Sequence, residues 1–286
     1  MNKKFNFHGH TYLCGHAGGS PIDYVKEALK RNFSVLGISE HAPMPNLFNK
    51  NSRLEMKDYD LYFKLLDEAE DYAKLHGLKF YRAFEIEYFK ELDVYEKYLD
   101  RVDYLILGQH YIVKNGHLKS TFGLDSLEDI KIYAKTVIEA LNTGYFSMLC
   151  HPDLCFFNIE HPTDEMYEAL RDIIVTAKEL DIPIELNANG IRRAKFENTP
   201  DKQDVYKYPR VKFFEMVKKL NAKVIVSSDC HSVDALYDFA MDKAYEFAHN
   251  MDLQLVDTIP MKGRRQWLLK YGVTLFVPFV ILENEK

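Results

Sequence analysis

The sequence predicts an α/β fold in which seven β-strands alternate with helices and close into a single-domain (β/α)7 barrel of the TIM type. Seven short runs rich in β-branched and aromatic residues each lead into a polar loop and then into a helical run. Such alternation implies a parallel sheet, and right-handed crossovers would close it. No Gly/Ser/Pro-rich linker divides the 286 residues. An open doubly wound sheet is the alternative, but the sequence contains neither of the glycine-rich nucleotide-binding motifs, Gly-x-Gly-x-x-Gly after the first strand or a P-loop, that would support it.

Each element has a local cue. The predicted strands span residues 5–9, 35–39, 79–85, 104–108, 145–150, 183–187 and 223–228, and residues 253–259 could add a last extended segment. Ser20, Ser126 and Thr163 suit helix N-caps before amphipathic runs, and Pro21 suits a first helical position. Further helical runs span residues 58–75, 91–100, 210–220 and 233–249. A helical run therefore follows every predicted strand.

Composition and charge narrow the class of protein. The chain is 47% hydrophobic and 28% charged, as is typical of a globular domain, and its four cysteines are too few for a disulfide scaffold. A net charge of −6 argues against an open nucleic-acid groove, because phosphate backbones require a basic footprint. The N-terminus has no apolar run of signal-peptide length, and no stretch of the sequence reaches membrane-spanning length. We therefore expect a cytoplasmic protein without nucleic-acid or membrane partners.

Histidines and carboxylates gather where the predicted strands end. In an extended chain, side chains two positions apart share a face, so His8 and His10 point the same way. A single histidine is more often a hydrogen-bonded core residue than a ligand, but seven of the 11 histidines lie at or just beyond strand ends. In an α/β barrel these ends form the active-site face. The candidate metal ligands are His8, His10, His16, His41, Glu85, His110, His151, Asp229 and His231, with Glu87 as an alternative to Glu85.

Nine nitrogen and oxygen donors are too many for one ion. A mononuclear catalytic zinc takes three protein ligands and keeps one open position. The set therefore indicates two or three divalent metal ions, and imidazole with carboxylate favours Zn, Mn or Fe over Ca or Mg. Cys150 and Cys230 are expected to point away from this face, by the period-two rule, and to serve in packing.

The ordered motifs resemble those of the polymerase-and-histidinol-phosphatase (PHP) superfamily, and most of all its histidinol-phosphatase branch. They are His8-Gly9-His10 with His16, Glu40-His41-Ala42-Pro43, Ala83-Phe84-Glu85, His110, His151-Pro152-Asp153, Glu185-Leu186-Asn187 with Gly190-Ile191-Arg192, and Ser228-Asp229-Cys230-His231. The resemblance implies a distorted (β/α)7 barrel with a trinuclear metal centre, and it favours Glu85 as the bridging carboxylate. It also implies a barrel over residues 1–262 and a C-terminal extension, residues 263–286, whose role is open.

The resemblance further implies hydrolysis of a phosphate monoester. Its leading substrate is L-histidinol phosphate, converted to L-histidinol and phosphate in histidine biosynthesis. A multinuclear centre can bind the phosphoryl oxygens and supply a metal-bridging hydroxide that attacks phosphorus. Arg192, which the motif position favours, or Arg193 would contact the phosphate. Asp229 or a neighbouring metal-bound histidine would shuttle a proton to the leaving oxygen.

Asp153, Tyr111 and Phe122 are candidates for binding the amine and the imidazole of the substrate.

Two other interpretations stay open: a PHP phosphoesterase of other specificity, including nucleotide or oligonucleotide hydrolysis, and a non-catalytic metal-binding protein. The lack of a basic, aromatic-laced patch counts against a nuclease, and an open barrel mouth counts against a closed structural metal site. The expected partner is a small-molecule phosphate ester, and the oligomeric state is left open.

Overall fold

The predicted α/β barrel is confirmed in the computed structural model, which describes residues 4–45, 52–193 and 206–265. Within these residues eight strands form one curled sheet and two form a separate hairpin. The strands are β1 (Lys4–Asn6), β2 (Phe33–His41), β3 (Lys79–Ile86), β4 (Tyr104–Leu107), β5 (Tyr111–Lys114), β6 (His117–Ser120), β7 (Phe146–Leu149), β8 (Ile184–Asn187), β9 (Lys223–Ser227) and β10 (Gln254–Leu255). The large sheet is parallel, in the order β1-β2-β3-β4-β7-β8-β9-β10. The seven predicted strands are β1–β4 and β7–β9.

The sheet closes on itself between β1 and β9. A parallel bridge joins Gly9 to Cys230, and the backbone N–H of His10 donates to the Cys230 carbonyl over 2.9 Å. Closer to the middle of the barrel, the backbone N–H of Ser228 donates to Asn6 Oδ1 over 2.8 Å. At the opposite end of β9 the short strand β10 pairs in place of β1. The barrel is therefore closed where its strands finish, and β10 fills the gap where they begin.

Helices pack around the outside of the sheet. Those of the described residues are α1 (Pro21–Lys30), α2 (Tyr59–Leu75), α3 (Tyr95–Leu99), α4 (Leu127–Asn142), α5 (Asp164–Glu179), α6 (Ala188–Arg193), α7 (Val211–Lys219) and α8 (Phe239–Asn250). Ser20 begins α1 as predicted, and its backbone N–H donates to Asp23 Oδ2 over 2.9 Å, which completes a capping box. Ser126 and Thr163 also cap α4 and α5 as predicted.

Two apolar layers hold the barrel together. The larger layer lies between the sheet and the helices and includes Leu36 and Phe84. The smaller layer fills the barrel interior and includes Phe7, Tyr104 and Met148. The Tyr104 hydroxyl donates to the Phe7 carbonyl over 2.7 Å, so even the polar atom of this interior ring is satisfied. Because the interior is packed, polar chemistry is confined to the end of the barrel where the strands finish.

One segment predicted as a loop is a hairpin. Strands β5 and β6 pair antiparallel across Asn115-Gly116, both of which have positive φ. An Asn-Gly pair between short apolar runs is the sequence signal of a two-residue hairpin turn, so this element was open to prediction. The hairpin stands directly after β4, beside the barrel mouth.

The extension beyond residue 262 begins by docking on the barrel. The backbone N–H of Gly263 donates to the Asp103 carbonyl over 2.8 Å. A Cβ at position 263 would lie 1.9 Å from the Val102 carbonyl oxygen, so glycine is required for this close approach. Residues 266–286, including the apolar run 271–282, lie outside the described residues. Among the residues that are described, no helix combines the length and apolarity needed to cross a bilayer.

Candidate metal centre

The strand ends bring all nine predicted donors together. Eight of them have nitrogen or oxygen atoms within 4.8 Å of one another in overlapping groups of three. These groups are His10–His41–His231, His8–Glu85–His151, His8–His10–Asp229 and His41–Glu85–His110. His16 joins them through His231, whose Nε2 lies 3.0 Å from His16 Nε2. The donors therefore form one continuous cluster, called the metal cluster below.

Glu85, at the end of β3, occupies the middle of the metal cluster. Its Oε2 lies 2.9 Å from His41 Nδ1, and its Oε1 lies 2.9 Å from His151 Nε2. The carboxylate fits against Gly108, where a Cβ would lie 2.0 Å from Oε1. Strand spacing alone left Glu85 and Glu87 as alternatives. The structure places Glu85 at the centre and Glu87 at the side.

Asp229 faces the two histidines of the first strand. Its Oδ1 lies 3.2 Å from His10 Nε2 and 3.6 Å from His8 Nε2. Its Oδ2 accepts hydrogen bonds from Asn187 Nδ2 and Asn189 Nδ2 over 3.1 and 3.2 Å. Asp229 has a left-handed backbone, with φ of 47°, as is common where function constrains conformation. One carboxylate oxygen is therefore fixed by amides, and the other is directed at the cluster.

Unsatisfied atoms show that the cluster suits cations. Glu85 Oε2 and Asp229 Oδ1 are buried and form no hydrogen bond. The Nε2 atoms of His8 and His10 face each other at 3.1 Å. Two ligand atoms on one tetrahedral ion at roughly 2.0–2.1 Å would be about 3.3 Å apart, so this spacing suits shared coordination. Burying a carboxylate oxygen that accepts no hydrogen bond costs free energy, and divalent cations of the Zn, Mn or Fe class would compensate that cost.

Three further carboxylates lie behind the donors and orient them. The contacts are His8 Nδ1 to Glu185 Oε1 at 2.7 Å, His110 Nδ1 to Glu87 Oε1 at 3.1 Å, and His10 Nδ1 to Glu40 Oε1 at 3.5 Å. A carboxylate at one ring nitrogen holds the tautomer that leaves the other nitrogen free for a metal. Sequence reasoning did not assign these roles, although Glu40 and Glu87 lie at strand ends and Glu185 lies within a predicted strand.

Electrostatics divide the imidazoles of the metal-free cluster, because burial lowers the pKa of His16, His41 and His231, whereas the pKa of His8 and of His10 is raised. Burial alone would lower the pKa of His8 and of His10, but neighbouring carboxylates outweigh it, raising the His8 pKa well above its usual value and the His10 pKa to about 9. Burial alone would raise the pKa of Glu85 and of Asp229, but the surrounding imidazoles hold both well below their usual range. Metal binding would displace the imidazole protons, since ligand nitrogens must be deprotonated.

The prediction that Cys150 points outward is wrong. Its side chain belongs to the barrel interior, and its Sγ lies within 4.8 Å of ligand atoms of His8 and Glu185. The cause is His151, whose left-handed φ of 30° breaks the alternation on which the prediction rested. Cys230 packs in the outer apolar layer, as predicted.

A cavity of about 310 Å³ opens over the metal cluster. One wall is aromatic and comprises Phe122, Phe157 and Tyr208. The ring centroid of Phe157 lies 5.1 Å from that of Phe122 and 6.4 Å from that of Tyr208. Tyr111, a predicted substrate contact, also lines the cavity, and the exposed Arg193 lies at its edge. This volume is at the lower end of the range for small-molecule sites, so a compact ligand is expected.

Two residues predicted to bind substrate lie away from the cavity lining. The guanidinium of Arg192 is bound by Asp238, with Nε–Oδ2 at 2.8 Å and Nη2–Oδ1 at 2.9 Å, so the motif-favoured arginine is already engaged. Asp153 is 1% exposed and accepts the Arg210 backbone N–H over 2.7 Å, and burial raises its pKa to about 6. Arg193, which lines the cavity, is therefore better placed than Arg192 to contact a phosphate, and the side chain of Asp153 is buried behind the lining.

Similar proteins extend over most of the chain. A protein of Clostridium acetobutylicum named a probable phosphatase is 24% identical over 263 residues, which cover 88% of each chain. A probable histidinol-phosphatase of Deinococcus radiodurans is 25% identical over 148 residues, which cover 50% of this chain and 53% of that protein. A crystal structure of histidinol phosphate phosphatase from Lactococcus lactis, complexed with zinc, L-histidinol and phosphate, has a TM-score of 0.65 at 16% identity and covers 90% of this chain and 97% of that one.

The family is defined by a match to the barrel itself. The model of the PHP domain matches residues 6–189, which is more than half of the chain. The matched segment runs from β1 through β8 and contains seven of the nine clustered donors. The remaining two, Asp229 and His231, follow β9 of the same barrel. The chain belongs to the PHP domain family.

Proposed function

We propose that the chain is a metal-dependent phosphatase that hydrolyses L-histidinol phosphate to L-histidinol and phosphate. The observation that carries the proposal is the nine-donor metal cluster, in which one oxygen each of Glu85 and Asp229 is buried without a hydrogen bond and which opens into a cavity of small-molecule size. Membership of the PHP domain family supports the general activity, a metal-dependent phosphoesterase. Two or three divalent ions of the Zn, Mn or Fe class are the proposed cofactors.

The chain's own residues would each have a defined part in hydrolysis. Ions held by the cluster would stabilise charge on the phosphoryl oxygens and lower the pKa of a bound water. Arg193, at the cavity edge, would donate to a phosphoryl oxygen, because a guanidinium matches phosphate geometry. The Asp229 carboxylate lies within the cluster, so it would be placed to accept a proton from the attacking water. That proton would pass to the ester oxygen as the P–O bond breaks, giving alcohol and phosphate.

The aromatic wall supports a substrate that carries a flat ring. The imidazole of histidinol phosphate can stack on Phe122 or Phe157, and its ammonium group can lie over an aromatic face. The Lactococcus lactis structure contains L-histidinol and phosphate, and the Deinococcus radiodurans relative carries the same functional name. The relative that covers 88% of the chain is named only as a phosphatase, so the assay must separate histidinol phosphate from other monoesters.

A substrate panel tests this proposal. Protein stripped with a chelator and reloaded with Zn, Mn or Fe(II) is given histidinol phosphate, p-nitrophenyl phosphate, a nucleoside monophosphate and a single-stranded oligonucleotide. We expect phosphate release from histidinol phosphate with a kcat/KM well above that of the other substrates. Comparable turnover of the oligonucleotide would overturn the specificity. No turnover of any substrate by fully metal-loaded protein would overturn the catalytic proposal and favour a metal-binding role.

Matched variants show whether the metal cluster is responsible. His8→Ala combined with His10→Ala removes two central donors, and we expect both bound metal and activity to be lost. His249→Ala, on the exposed face of α8, is the control and should change neither. If the double variant keeps its metal and its activity, the assignment of the cluster is wrong.

A further inference from the structure

Arg53 is a buried arginine on the cavity lining to which the proposed mechanism gives no part. It lies in the loop between β2 and α2 and is only 6% exposed. Its guanidinium binds Glu87 in a fork, with Nη2 donating to Oε1 over 2.8 Å and Nη1 to Oε2 over 3.2 Å. Nη1 also donates to the Ala42 carbonyl over 3.1 Å, which ties the fork to the end of β2. Both oxygens of Glu87 are thereby fixed.

Glu87 transmits that constraint to one donor of the metal cluster. Its Oε1 accepts a hydrogen bond from His110 Nδ1 over 3.1 Å. The other ring nitrogen, Nε2, lies 3.5 Å from Glu85 Oε1 at the cluster centre. His110 is 16% exposed, whereas Glu87 is 1% exposed. The more accessible ring is therefore held from behind by a buried carboxylate.

The same fork also separates two chemically equivalent carboxylates. Glu85 and Glu87 are two positions apart at the end of β3, and both contact His110, one at each ring nitrogen. Only Glu87 is bound by Arg53. A Glu87 freed from Arg53 could turn toward the cations and compete with Glu85 as a ligand.

We propose that Arg53 is a positioning residue of the metal centre, which acts through Glu87 to hold His110 with its proton on Nδ1 and its Nε2 directed at the cluster. This inference rests on the proposed function, because it assumes that the cluster binds metal. Arg53 cannot serve as a ligand of the ion, and its two terminal nitrogens are already bound to Glu87 and to the Ala42 carbonyl. Its effect should therefore appear in metal affinity and in the His110 tautomer before it appears in substrate binding.

A set of variants isolates this role. Arg53→Met removes the charge and the fork, Arg53→Lys keeps the charge alone, and Glu87→Gln removes the acceptor charge. Arg82→Met is the matched control, since Arg82 is a similarly buried arginine in the middle of β3 that pairs with Glu70 over 2.8 Å. Zinc affinity is measured by competition with a chromophoric chelator. The His110 tautomer is read from ring ¹⁵N–¹H spectra of the zinc-loaded proteins.

The expected results differ from those of a simple structural ion pair. Arg53→Met and Glu87→Gln should each weaken zinc binding about 10–100-fold, as is usual when the partner of a ligating histidine is lost. The variant that combines Arg53→Met with Glu87→Gln should bind zinc no more weakly than the weaker-binding single variant, because both residues act on His110 through the same contact. Arg53→Lys should restore part of the affinity. Arg82→Met should lower the melting temperature without changing zinc affinity.

Other results would overturn the inference. Unchanged zinc affinity in Arg53→Met, or additive losses in the double variant, would reduce Arg53 to a structural role. If Arg53→Met does not fold, Arg53→Lys and Glu87→Gln decide the question by the same measurements. Zinc binding and activity are separate readouts. A wild-type protein that binds zinc but hydrolyses no phosphate ester would overturn the proposed function, and the zinc affinities of the variants would still decide the role of Arg53.

Discussion

Replacing Glu185 with glutamine should separate the charge of this residue from its shape. Glu185 lies in β8, is fully buried and accepts three hydrogen bonds. The donors are His8 Nδ1 at 2.7 Å, the His151 backbone N–H at 2.9 Å and Asn187 Nδ2 at 2.9 Å. An ionised carboxylate satisfies all three donors at once. A glutamine of the same shape offers only one acceptor atom, because its other terminal atom is a donor.

Either orientation of the glutamine creates a conflict. If its oxygen faces His8, its NH2 group faces two donors, from His151 and Asn187. If its NH2 group faces His8, the ring must accept at Nδ1 and carry its proton on Nε2, the atom that faces His10 and the metal cluster. Hydrogen bonds to a charged group contribute about 1.5–3 kcal/mol each. We therefore expect metal-free Glu185→Gln to lose about 2–3 kcal/mol of stability, which corresponds to a fall of roughly 4–10 °C in Tm.

The assay combines three measurements on one variant. Thermal unfolding of the chelated protein reports the stability loss, and chelator competition reports zinc affinity, which should fall about 10–100-fold. Phosphate release reports activity, which should fall with zinc affinity at limiting metal. Glu215→Gln, an exposed carboxylate of α7, is the control. A Glu185→Gln protein with wild-type Tm, zinc affinity and activity would refute the assigned orienting role.

Three further changes test separate parts of the structure. Arg193→Met should raise KM for a phosphate ester about tenfold, because one hydrogen bond from a charged group is lost. Arg192→Met should lower Tm and leave KM unchanged, because the Arg192 guanidinium is held in an ion pair with Asp238. In the metal-free protein, protonated His10 stabilises the fold fully below its unfolded pKa of 6.5, and this contribution is lost as pH rises through the folded pKa of about 9, so Tm should fall across that window. Asp129→Asn should cost about 2–3 kcal/mol at neutral pH. Burial would raise the pKa of this carboxylate but two lysines hold it lower, so its contribution is present above pH 3.8 and is lost as pH falls below it.

Each of these expectations can fail independently. A KM that responds to Arg192→Met and not to Arg193→Met would reverse the choice between the two arginines. A Tm of chelated protein that rises between pH 6.5 and 9 would contradict the assigned protonation of His10. A stability loss in Asp129→Asn that is the same at pH 7 and pH 3 would show that the two lysines contribute nothing through its charge.

The gathering of the donors could be predicted because it depends on where the strands end, and for His8 and His10 also on the period of an extended chain. His8 and His10 lie on extended chain, where side chains two apart share a face, and a closed barrel brings the ends of all its strands to one place. Family resemblance then favoured Glu85 over Glu87, and the structure places Glu85 centrally. Ser20 was recognised as a helix cap because capping depends on residues three apart, which the sequence shows directly.

The failures arose where the backbone departs from regular geometry or where partners are distant in sequence. Cys150 faces inward because His151 is left-handed, and no local pattern signals that conformation. Arg192 and Arg193 lie in the short helix α6, where neighbouring side chains diverge by about 100°, so only one of them can face the cavity. The contact of Glu185 with His8 spans 177 positions, and strand order alone does not show which side chains meet across the barrel.

The closure between β1 and β9 has a consequence for how the protein folds and holds its shape. Asn6 and Ser228, which meet at this seam, are 222 positions apart, and the same seam brings His8 and His10 to Asp229. An ion shared across it would be a removable cross-link between the first strand and the ninth. In the chain-entropy treatment of cross-links, closing a loop of this size is equivalent to about 5 kcal/mol. The metal-free barrel should therefore open first along this seam. During folding, metal should bind only after β9, the last strand that carries ligands, has packed against β1.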